Sequence, residues 1–399
     1  MKIKDTIIYV ATILISALFI IAGNAMFSDY NVQPHGNMRF RGNIQFQGNI
    51  ESHRAIVLSI YDIVEVPILN YFASFELRSI KFTAEIINGE QSGRIIYGVQ
   101  DINTLLMQYR EIDKGDRILV MNIDNIIHNG AEWVFIDYDR TNILLLLCIA
   151  FFVLIMIIAG KKGIDTIVSL ILLFFTIFLV YVPSILSGFN VYLSTMIVST
   201  FIIVMNLLLI NGANKKTLSA ILGNLGGIIV AGLLAYFMNN ILHFTGLADE
   251  HYIQLSLVKP DNPLNLIAIA WGGMMLGSLG AIMDVSMTIA SSMHELAVHM
   301  KERTFIKMIG SGMNIGRDII GTMANTLILA YIGGSLALVL LLMVNITDTV
   351  YLFSMEMISV QIVKSIIGSM GILFAVPFTA VVSAYMYNSS NTRTQKRRR

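Results

Sequence analysis

The chain has 399 residues, of which 55% are hydrophobic and 13% are charged, and its mean hydropathy is +0.71. Soluble domains contain about 45–50% apolar and about 25% charged residues, so this composition excludes an ordinary soluble protein and predicts an integral membrane protein. Basic and acidic residues nearly cancel, at 27 against 26, but residues 28–142 contain 10 basic and 15 acidic residues. We therefore expect a polytopic membrane core that carries one soluble, acidic insert.

The single cysteine and the basic C-terminal residues exclude further classes of protein. Cys148 is the only cysteine, so the chain provides neither a disulfide framework nor a cysteine-based zinc cluster. The one basic cluster follows the last hydrophobic segment and consists of Arg393, Lys396, Arg397, Arg398 and Arg399. Such a cluster predicts a topology anchor or a contact with anionic membrane lipid, and nucleic-acid binding has little support.

Apolar runs of about 18 residues or more are candidates for membrane-spanning helices. The sequence contains eight of them, at 7–27, 143–159, 164–182, 191–210, 217–242, 264–283, 322–344 and 362–387. If each run crosses once, the lysines and arginines of the short loops fall on one side, except Lys259, and the positive-inside rule makes that side cytoplasmic. We expect a multi-pass protein of the plasma membrane with both termini in the cytoplasm.

The first run has a second interpretation. An apolar stretch that ends in Gly23-Asn24-Ala25 resembles a signal peptide with its cleavage site. We favour a retained helix over residues 1–27, because the run continues to Phe27 and is long enough to span. Cleavage would leave seven spans and the same outside domain.

Residues 28–142 predict an extracytoplasmic β-rich domain between this helix and a seven-helix membrane domain over 143–387, which a basic cytoplasmic tail over 388–399 follows. The expected strands are 39–46, 55–61, 80–87, 94–99, 117–123 and 132–138. Short strands and tight turns favour a small β-barrel of the SH3-like or OB-like kind. Its aromatic residues predict either packing in the barrel core and on the strand surfaces, which we favour, or a ligand face, and they are Tyr61, Tyr97, Trp133, Phe135 and Tyr138.

Two polar stripes interrupt the apolar half of the chain, where charge is costly and marks a functional site by default. At about 100° per residue, the first stripe occupies one helical face. Its members are Asp284, Thr288, Ser291, Glu295 and Glu302, with Ser292 and His299 beside them. The second stripe follows a short basic turn, and its members are Asn314, Asp318 and Asn325, with Arg317, Gly321 and Thr322 beside them. An antiparallel helical pair would bring the two stripes together at the cytoplasmic end of the bundle.

Each stripe also has a simpler explanation. Glu295, His299 and Glu302 suit the wet face of a helix that leaves the membrane, and Arg317 with Asp318 suits a structural pair at the seventh span. Asp284 follows a long uncharged stretch, so lining a cavity is the competing interpretation. The sequence leaves open whether residues 284–302 continue the sixth span, lie along the interface or re-enter the bilayer. Nearby glycines indicate close helix packing or, less often, the broken helices of transporter sites.

Motifs for catalysis are missing from the sequence. In HELAVH the two histidines are five residues apart, so they cannot form the zinc pair of a metalloprotease, although Glu295 and His299 could share a divalent cation. The sequence has no Walker loop, Ser-His-Asp set or kinase motif. We therefore expect no enzyme activity and no cofactor, with energy from an ion gradient or another subunit.

Residues 277–296, GSLGAIMDVSMTIASSMHEL, and 311–336, SGMNIGRDIIGTMANTLILAYIGGSL, resemble the YibE/YibF-like family of bacterial polytopic membrane proteins. The resemblance covers the whole membrane portion, and an N-terminal span before a β-rich outside domain is similar to the longer members. It implies a polytopic membrane protein. It places Asp284, Glu295, Asn314, Arg317 and Asp318 inside the family signature and assigns them no role.

The leading hypothesis is a secondary transporter or permease subunit for an ion or small solute, with Asp284 as the proton- or cation-binding carboxylate. Arg317 would pair with Asp284 or Asp318, or attract an anionic substrate. The other polar ligands would be Thr288, Ser291, Asn314 and Asn325, with Glu295 nearby. Expected partners are membrane lipids and a second membrane subunit or further copies of the chain. The rival hypothesis is a non-transporting envelope protein whose outside domain binds a partner or a cell-wall component.

Overall fold

The computed structural model describes residues 3–27, 38–39, 45–46, 52–70, 73–103, 110–122, 132–256, 263–300, 304–345 and 348–396. The chain divides into two compact units. One unit is Gln33–Leu154, and the other combines Met1–Val32 with Ile155–Arg399. The first contains all the described strands, and the second is helical.

The first unit contains seven described strands. They are β1 (Met38–Arg39), β2 (Gln45–Phe46), β3 (Ser52–Asn70), β4 (Ala73–Ile86), β5 (Ile95–Asn103), β6 (Arg117–Asn122) and β7 (Trp133–Tyr138). The predicted single strand over 39–46 is wrong, because β1 and β2 are separate strands that pair antiparallel, and residues 40–44 lie outside the described residues. β3 and β4 are longer than expected, since they continue past the barrel as a paired ribbon.

Strands β3 to β7 form a closed barrel in the order β3-β4-β5-β7-β6, with β6 returning to β3. All neighbours are antiparallel except β5 and β7, which are parallel. A small barrel is therefore confirmed. In this barrel the third and fifth strands, β5 and β7, are parallel. That strand order corresponds to the OB-like alternative, which the sequence could not distinguish from the SH3-like one.

The barrel interior follows from the alternation of apolar residues along each strand, because successive side chains of a strand point to opposite faces. Ala55, Phe82, Ala84 and Val120 are fully buried. On β4, Thr83 lies between two of these residues and faces outward. The turns are made by glycines in the left-handed region, with φ of 72° at Gly89, 87° at Gly93 and 92° at Gly115.

The helices carry the apolar runs of the sequence. They are α1 (Ile3–Phe27), α2 (Thr141–Ala159), α3 (Lys161–Thr176), α4 (Val182–Leu186), α5 (Val191–Asn211), α6 (Lys215–Ile241), α7 (Glu250–Ser256), α8 (Leu266–His299), α9 (Phe305–Gly334), α10 (Leu336–Asn345), α11 (Thr349–Ser354) and α12 (Glu356–Lys396). A π-helical turn, Ile177–Tyr181, joins α3 to α4. Asparagines cap α5, α6 and α8, where the side chains of Asn190, Asn214 and Asn265 accept backbone N–H groups of the first turn.

Among the described residues, seven helical segments are long and apolar enough to cross a membrane, and the bent pair α9–α10 makes an eighth candidate. The predicted seventh run needs correction. Its helix begins at Phe305, well before residue 322, and bends by 61° between α9 and α10. The bend follows Gly333 and Gly334, which are poor helix formers. The sixth run also continues as one helix to His299, so residues 284–299 extend α8.

The core of the helical unit is formed by α6, α8 and α12, with α5 and α9 packed beside them. Two buried aromatic contacts attach α1 and α8 to this unit. The Phe19 ring stacks on Phe201 at 4.1 Å between centroids, and the Trp271 indole donates to the Gly232 carbonyl at 2.9 Å. The Trp271 contact holds α8 against α6.

Candidate functional site

The first polar stripe lies on the open face of α8. Asp284, Thr288 and Glu295 are exposed, and Ser291 is half-buried. Gly273, Gly277 and Gly280 continue this face toward the start of the helix, and they are also exposed. The opposite face is apolar and buried, as the pattern predicts, and it carries Ile282, Val285, Ile289 and Met293, each 0% exposed.

The second polar stripe lies on the open face of α9. Asn314, Arg317, Asp318 and Asn325 are all exposed. The other side of α9 packs through small residues, because Gly312 lies against Met293 of α8 and Ala380 of α12, and Gly316 lies against Val376 of α12. The helix therefore buries Gly312 and Gly316 and presents its charged residues outward.

The two stripes lie at matching heights, because α8 and α9 pack antiparallel. Met293 contacts Gly312, and toward the other end of the pair Gly277 contacts Tyr331. In this register Thr288 lies at about the height of Arg317 and Asp318, and Ser291 at the height of Asn314. Asp284 lies at the height of Thr322 and Asn325. The antiparallel pair is confirmed, whereas the meeting of the two stripes at the cytoplasmic end of the bundle stays a prediction.

Hydrogen bonds hold individual members of the stripes but do not join one stripe to the other. The Arg317 guanidinium donates to the Asn314 side-chain oxygen at 3.2 Å, and the Thr288 hydroxyl donates to the Asp284 carbonyl at 2.7 Å. In the described ranges, Arg317 forms no ion pair with Asp284 or Asp318. The predicted resting ion pair of Arg317 is therefore absent, and Arg317, Asp284 and Asp318 all face outward.

The acidic and histidine residues near the end of α8 do not form a metal cluster. The His299 Nε2 and Glu295 Oε2 atoms are 3.9 Å apart on an exposed turn of helix. Within the part of the chain that the structure describes, no three His, Cys, Asp or Glu side chains come together. Glu302, the last member of the predicted stripe, lies outside the described residues.

A cavity of about 180 Å³ lies away from both stripes, between the loop that follows α4 and the start of α8. Its walls include Phe189, Asn190, Tyr192, Pro263 and Asn265. None of the predicted site residues lines it. The candidate site is therefore an open polar face rather than an enclosed pocket.

Sequence analysis missed a set of polar residues inside the bundle. Asn224, Ser286 and Ser383 are fully buried, although each lies within a long apolar helix. Attention to charge hid them, because uncharged polar residues lower the hydropathy of a run only slightly. The signal that could have found them is their helical spacing, since Thr379 and Ser383 are four residues apart and Ser286 lies eight residues before His294.

The five aromatic residues of the barrel lie in two kinds of position, in the core and on the strand surface. Trp133 is 1% exposed, and Phe135 and Tyr138 pack against the core. Tyr61 and Tyr97 are instead 51% and 61% exposed, and their rings meet edge to face at 6.3 Å. The favoured interpretation, packing in the barrel core and on the strand surfaces, fits all five, since Tyr61 and Tyr97 pack against each other on the surface of β3 and β5. The sequence could not separate them, because an outward tyrosine and an inward one have the same strand preference.

The fold and its open polar face define a class, that of helical proteins whose helices are long and apolar enough to cross a membrane. Within this class, the sequence model of the YibE/F-like protein family matches residues 147–389, which is more than half of the chain. The chain belongs to the YibE/F-like family, as the resemblance indicated. Comparison with curated proteins and with solved structures gave no match. The family match covers the helical part from α2 to α12 and does not include the barrel.

Proposed function

We propose that this protein is a secondary transporter or permease subunit for an ion or small solute, inserted in the plasma membrane with both termini in the cytoplasm. The barrel then lies outside the cytoplasm, between α1 and α2. Family membership and the apolar helices support the membrane location. The positive-inside rule supports the orientation, because the short loops on the side of the termini hold most of the lysines and arginines.

The observation that carries the proposal is the pair of open polar faces on α8 and α9. Asp284, Arg317 and Asp318 lie on long, otherwise apolar helices, and none of them is buried or neutralised by an ion pair within the described residues. Charges in a membrane domain usually face water or a protein partner, since exposure to lipid costs several kcal/mol. Asp284 is the proton- or cation-binding carboxylate in this proposal, with oxygen ligands from Thr288, Ser291 and Asn325.

Thermal unfolding of the purified full chain in detergent tests the Asp284 role. Unfolding temperatures are compared with and without Na⁺, K⁺ or Mg²⁺, and between pH 5 and pH 8, because a ligand that binds the folded state stabilises it by mass action. We expect a saturable shift with one of these ions in the wild type that is absent in Asp284→Asn. Glu90→Gln, which removes an exposed carboxylate from a barrel turn, should keep the full shift. An equal shift in wild type and Asp284→Asn contradicts the proposal.

One observation favours the rival function, a non-transporting envelope protein. The exposed Tyr61–Tyr97 pair lies on the outer surface of β3 and β5, next to Ser59 and Thr83, which hydrogen-bond at 2.7 Å. Flat aromatic rings beside hydroxyl groups suit the recognition of a sugar or of a protein segment, and OB-like barrels bind such ligands on this kind of surface. In this alternative, deletion of residues 30–140 abolishes function in cells and Asp284→Asn is tolerated. The opposite pattern supports transport.

A further inference from the structure

Three side chains in the centre of the helical unit are fully buried and polar. Asn224 of α6, Ser286 of α8 and Ser383 of α12 are each 0% exposed. Among the described protein groups, the two side-chain polar atoms of Asn224 and the hydroxyls of both serines have no hydrogen-bond partner. Nearly all buried polar groups in folded proteins have such a partner, in protein or in bound water. These four atoms therefore require an explanation.

Asn224 and Ser286 lie at the same height in the bundle. Gly227 contacts Ile282 of α8, and one turn of helix further along α6 the Trp271 indole binds the Gly232 carbonyl, so α6 and α8 are antiparallel. In that register Asn224 lies opposite Ser286. Gly223, the neighbour of Asn224, lies directly against Thr379 of α12. The three helices thus bring an amide and two hydroxyl-bearing residues to one level.

The polar residues continue from this level toward the end of the bundle where α6 begins. Ser383 and Tyr387 follow Thr379 at four-residue steps on α12, and His294 follows Ser286 by eight residues on α8. The rings of His294 and Tyr387 are 5.6 Å apart, and the His294 Nδ1 and Tyr387 hydroxyl also lack partners among the described groups. We name Asn224, Ser286, Ser383, Tyr387 and His294 the inner polar line.

The chemistry of the inner polar line suits water better than an ion. Amide, hydroxyl and imidazole groups both donate and accept hydrogen bonds, whereas a cation would satisfy the Asn224 oxygen and leave its NH₂ group unpaired. No carboxylate lies on the inner polar line. Lys215 of α6 lies at the end where α6 begins, with its Nζ 6.0 Å from the Tyr387 ring. Ser383 and Tyr387 are one helical turn apart, a rise of about 6 Å, which is too far for a direct hydrogen bond, so bound water is needed to satisfy both groups.

We propose that the inner polar line is a hydrated cleft, in which a file of bound water molecules reaches from the Lys215 end of the bundle to Asn224. This site is separate from the Asp284 site, because Ser286 and Asp284 lie on opposite faces of α8. It gives the middle of the bundle an aqueous connection to one end. The proposal goes beyond the transport function and can fail while that function holds.

Cysteine reactivity in the full chain tests for water in the cleft. Cys148 is exposed, so Cys148→Ser provides the background, and Ser286→Cys and Ser383→Cys are added separately. The matched control is Val285→Cys, which is equally buried and adjacent in sequence but lies among apolar neighbours. A thiol must ionise to react with a methanethiosulfonate reagent such as the aminoethyl derivative, and a thiol in dry apolar surroundings is inert.

We expect both serine positions to react at least about tenfold faster than Val285→Cys, with Ser383→Cys the faster because it lies nearer the open end. Rates within about twofold of the control at both positions overturn the proposal. The unfolding temperature in detergent provides a second measurement, independent of thiols. Asn224→Leu should lower it, because bridged hydrogen bonds are lost. An increase would show that the amide is buried dry, since replacing an unpaired polar group by an apolar one of similar size removes its desolvation penalty.

Discussion

The barrel and the helical bundle close their cores in opposite ways. In the barrel a large side chain fills the interior, and a Cβ at Gly98 would lie only 2.5 Å from the Phe82 ring that occupies its space. In the bundle, glycines let backbones approach each other. A Cβ at Gly227 would lie 2.8 Å from the Gly371 carbonyl oxygen, and one at Gly223 would lie 2.8 Å from the Thr379 Cα.

This difference agrees with the environments that we propose for the two units, water for the barrel and lipid for the bundle. A barrel in water gains about 25 cal/mol for each Å² of apolar surface that it buries, so large side chains belong inside. The bundle instead shows large apolar residues on its outer surface, such as Leu193 at 56% and Phe237 at 55% exposure. In lipid such residues gain nothing by moving inward, and helix association depends on close van der Waals contact between small residues.

The largest effect is expected from Phe82→Ala in the barrel. Phe82 is 0% exposed, and truncation of a buried Phe costs about 3–5 kcal/mol through lost burial and the cavity left behind. Each unit contains one of the two tryptophans, so in a Trp271→Phe background the buried Trp133 reports on the barrel alone. We expect urea to shift the Trp133 emission at a much lower concentration in Phe82→Ala. Tyr97→Ala, on the exposed surface of β5, is the control and should leave the midpoint nearly unchanged.

In the bundle, we expect the addition of a single methyl group to lower the stability. In Gly223→Ala the new Cβ overlaps the side chain and backbone of Thr379, and overpacking of this kind costs about 1–3 kcal/mol. Gly273→Ala is the matched control, since nothing lies within 4 Å of its added Cβ. The unfolding temperature in detergent should fall for Gly223→Ala only. Equal values for the two variants would mean that α6 and α12 do not pack as closely as described here.

A smaller, pH-dependent effect is expected where the barrel strands end. The Asp139 carboxylate accepts the Thr141 N–H at 3.1 Å and lies 3.6 Å from the Arg54 guanidinium. Hydrogen bonding from Thr141 is the main reason that the pKa of Asp139 is lowered, burial opposes it, and Arg54 adds a smaller lowering effect. A lowered pKa stabilises the folded state above the ordinary Asp value, near 3.9, and this stabilisation is lost as the pH falls through the folded-state value.

Asp139→Asn should therefore destabilise the barrel by up to about 1 kcal/mol at pH 7, because the amide oxygen still accepts the Thr141 N–H but the negative charge beside Arg54 and the start of α2 is lost. The difference between wild type and variant, measured by urea unfolding with Trp133 emission, should stay constant down to about pH 5 and shrink below about pH 4. A difference that grows as the pH falls would contradict the assigned role of the carboxylate.

Part of the fold could be predicted because some patterns are local. The run IKFTAEIINGEQSGRIIYGV alternates and contains glycines where the turn needs them, and it forms β4, the turn and β5. The break of the seventh span was not predictable from hydropathy, because Gly333 and Gly334 occur within an apolar run and glycine is common in membrane helices. Long apolar runs, in contrast, all became helices, since hydropathy and length act on each segment separately.

The candidate site also has some features that the sequence predicts and others that only the tertiary structure shows. The 3.6-residue period of one helix places Asp284, Thr288 and Glu295 on the same face, so the sequence alone determined which residues share the polar face of α8. The sequence also determined family membership and the number of apolar helices. Only the tertiary structure decided that this face is open, that Arg317 bonds to Asn314 rather than to a carboxylate, and that Asn224 and Ser286 are both fully buried at one height in the bundle. Periodicity within a helix is a local property, whereas helix register and burial depend on contacts between segments far apart in the chain, such as Gly223 with Thr379.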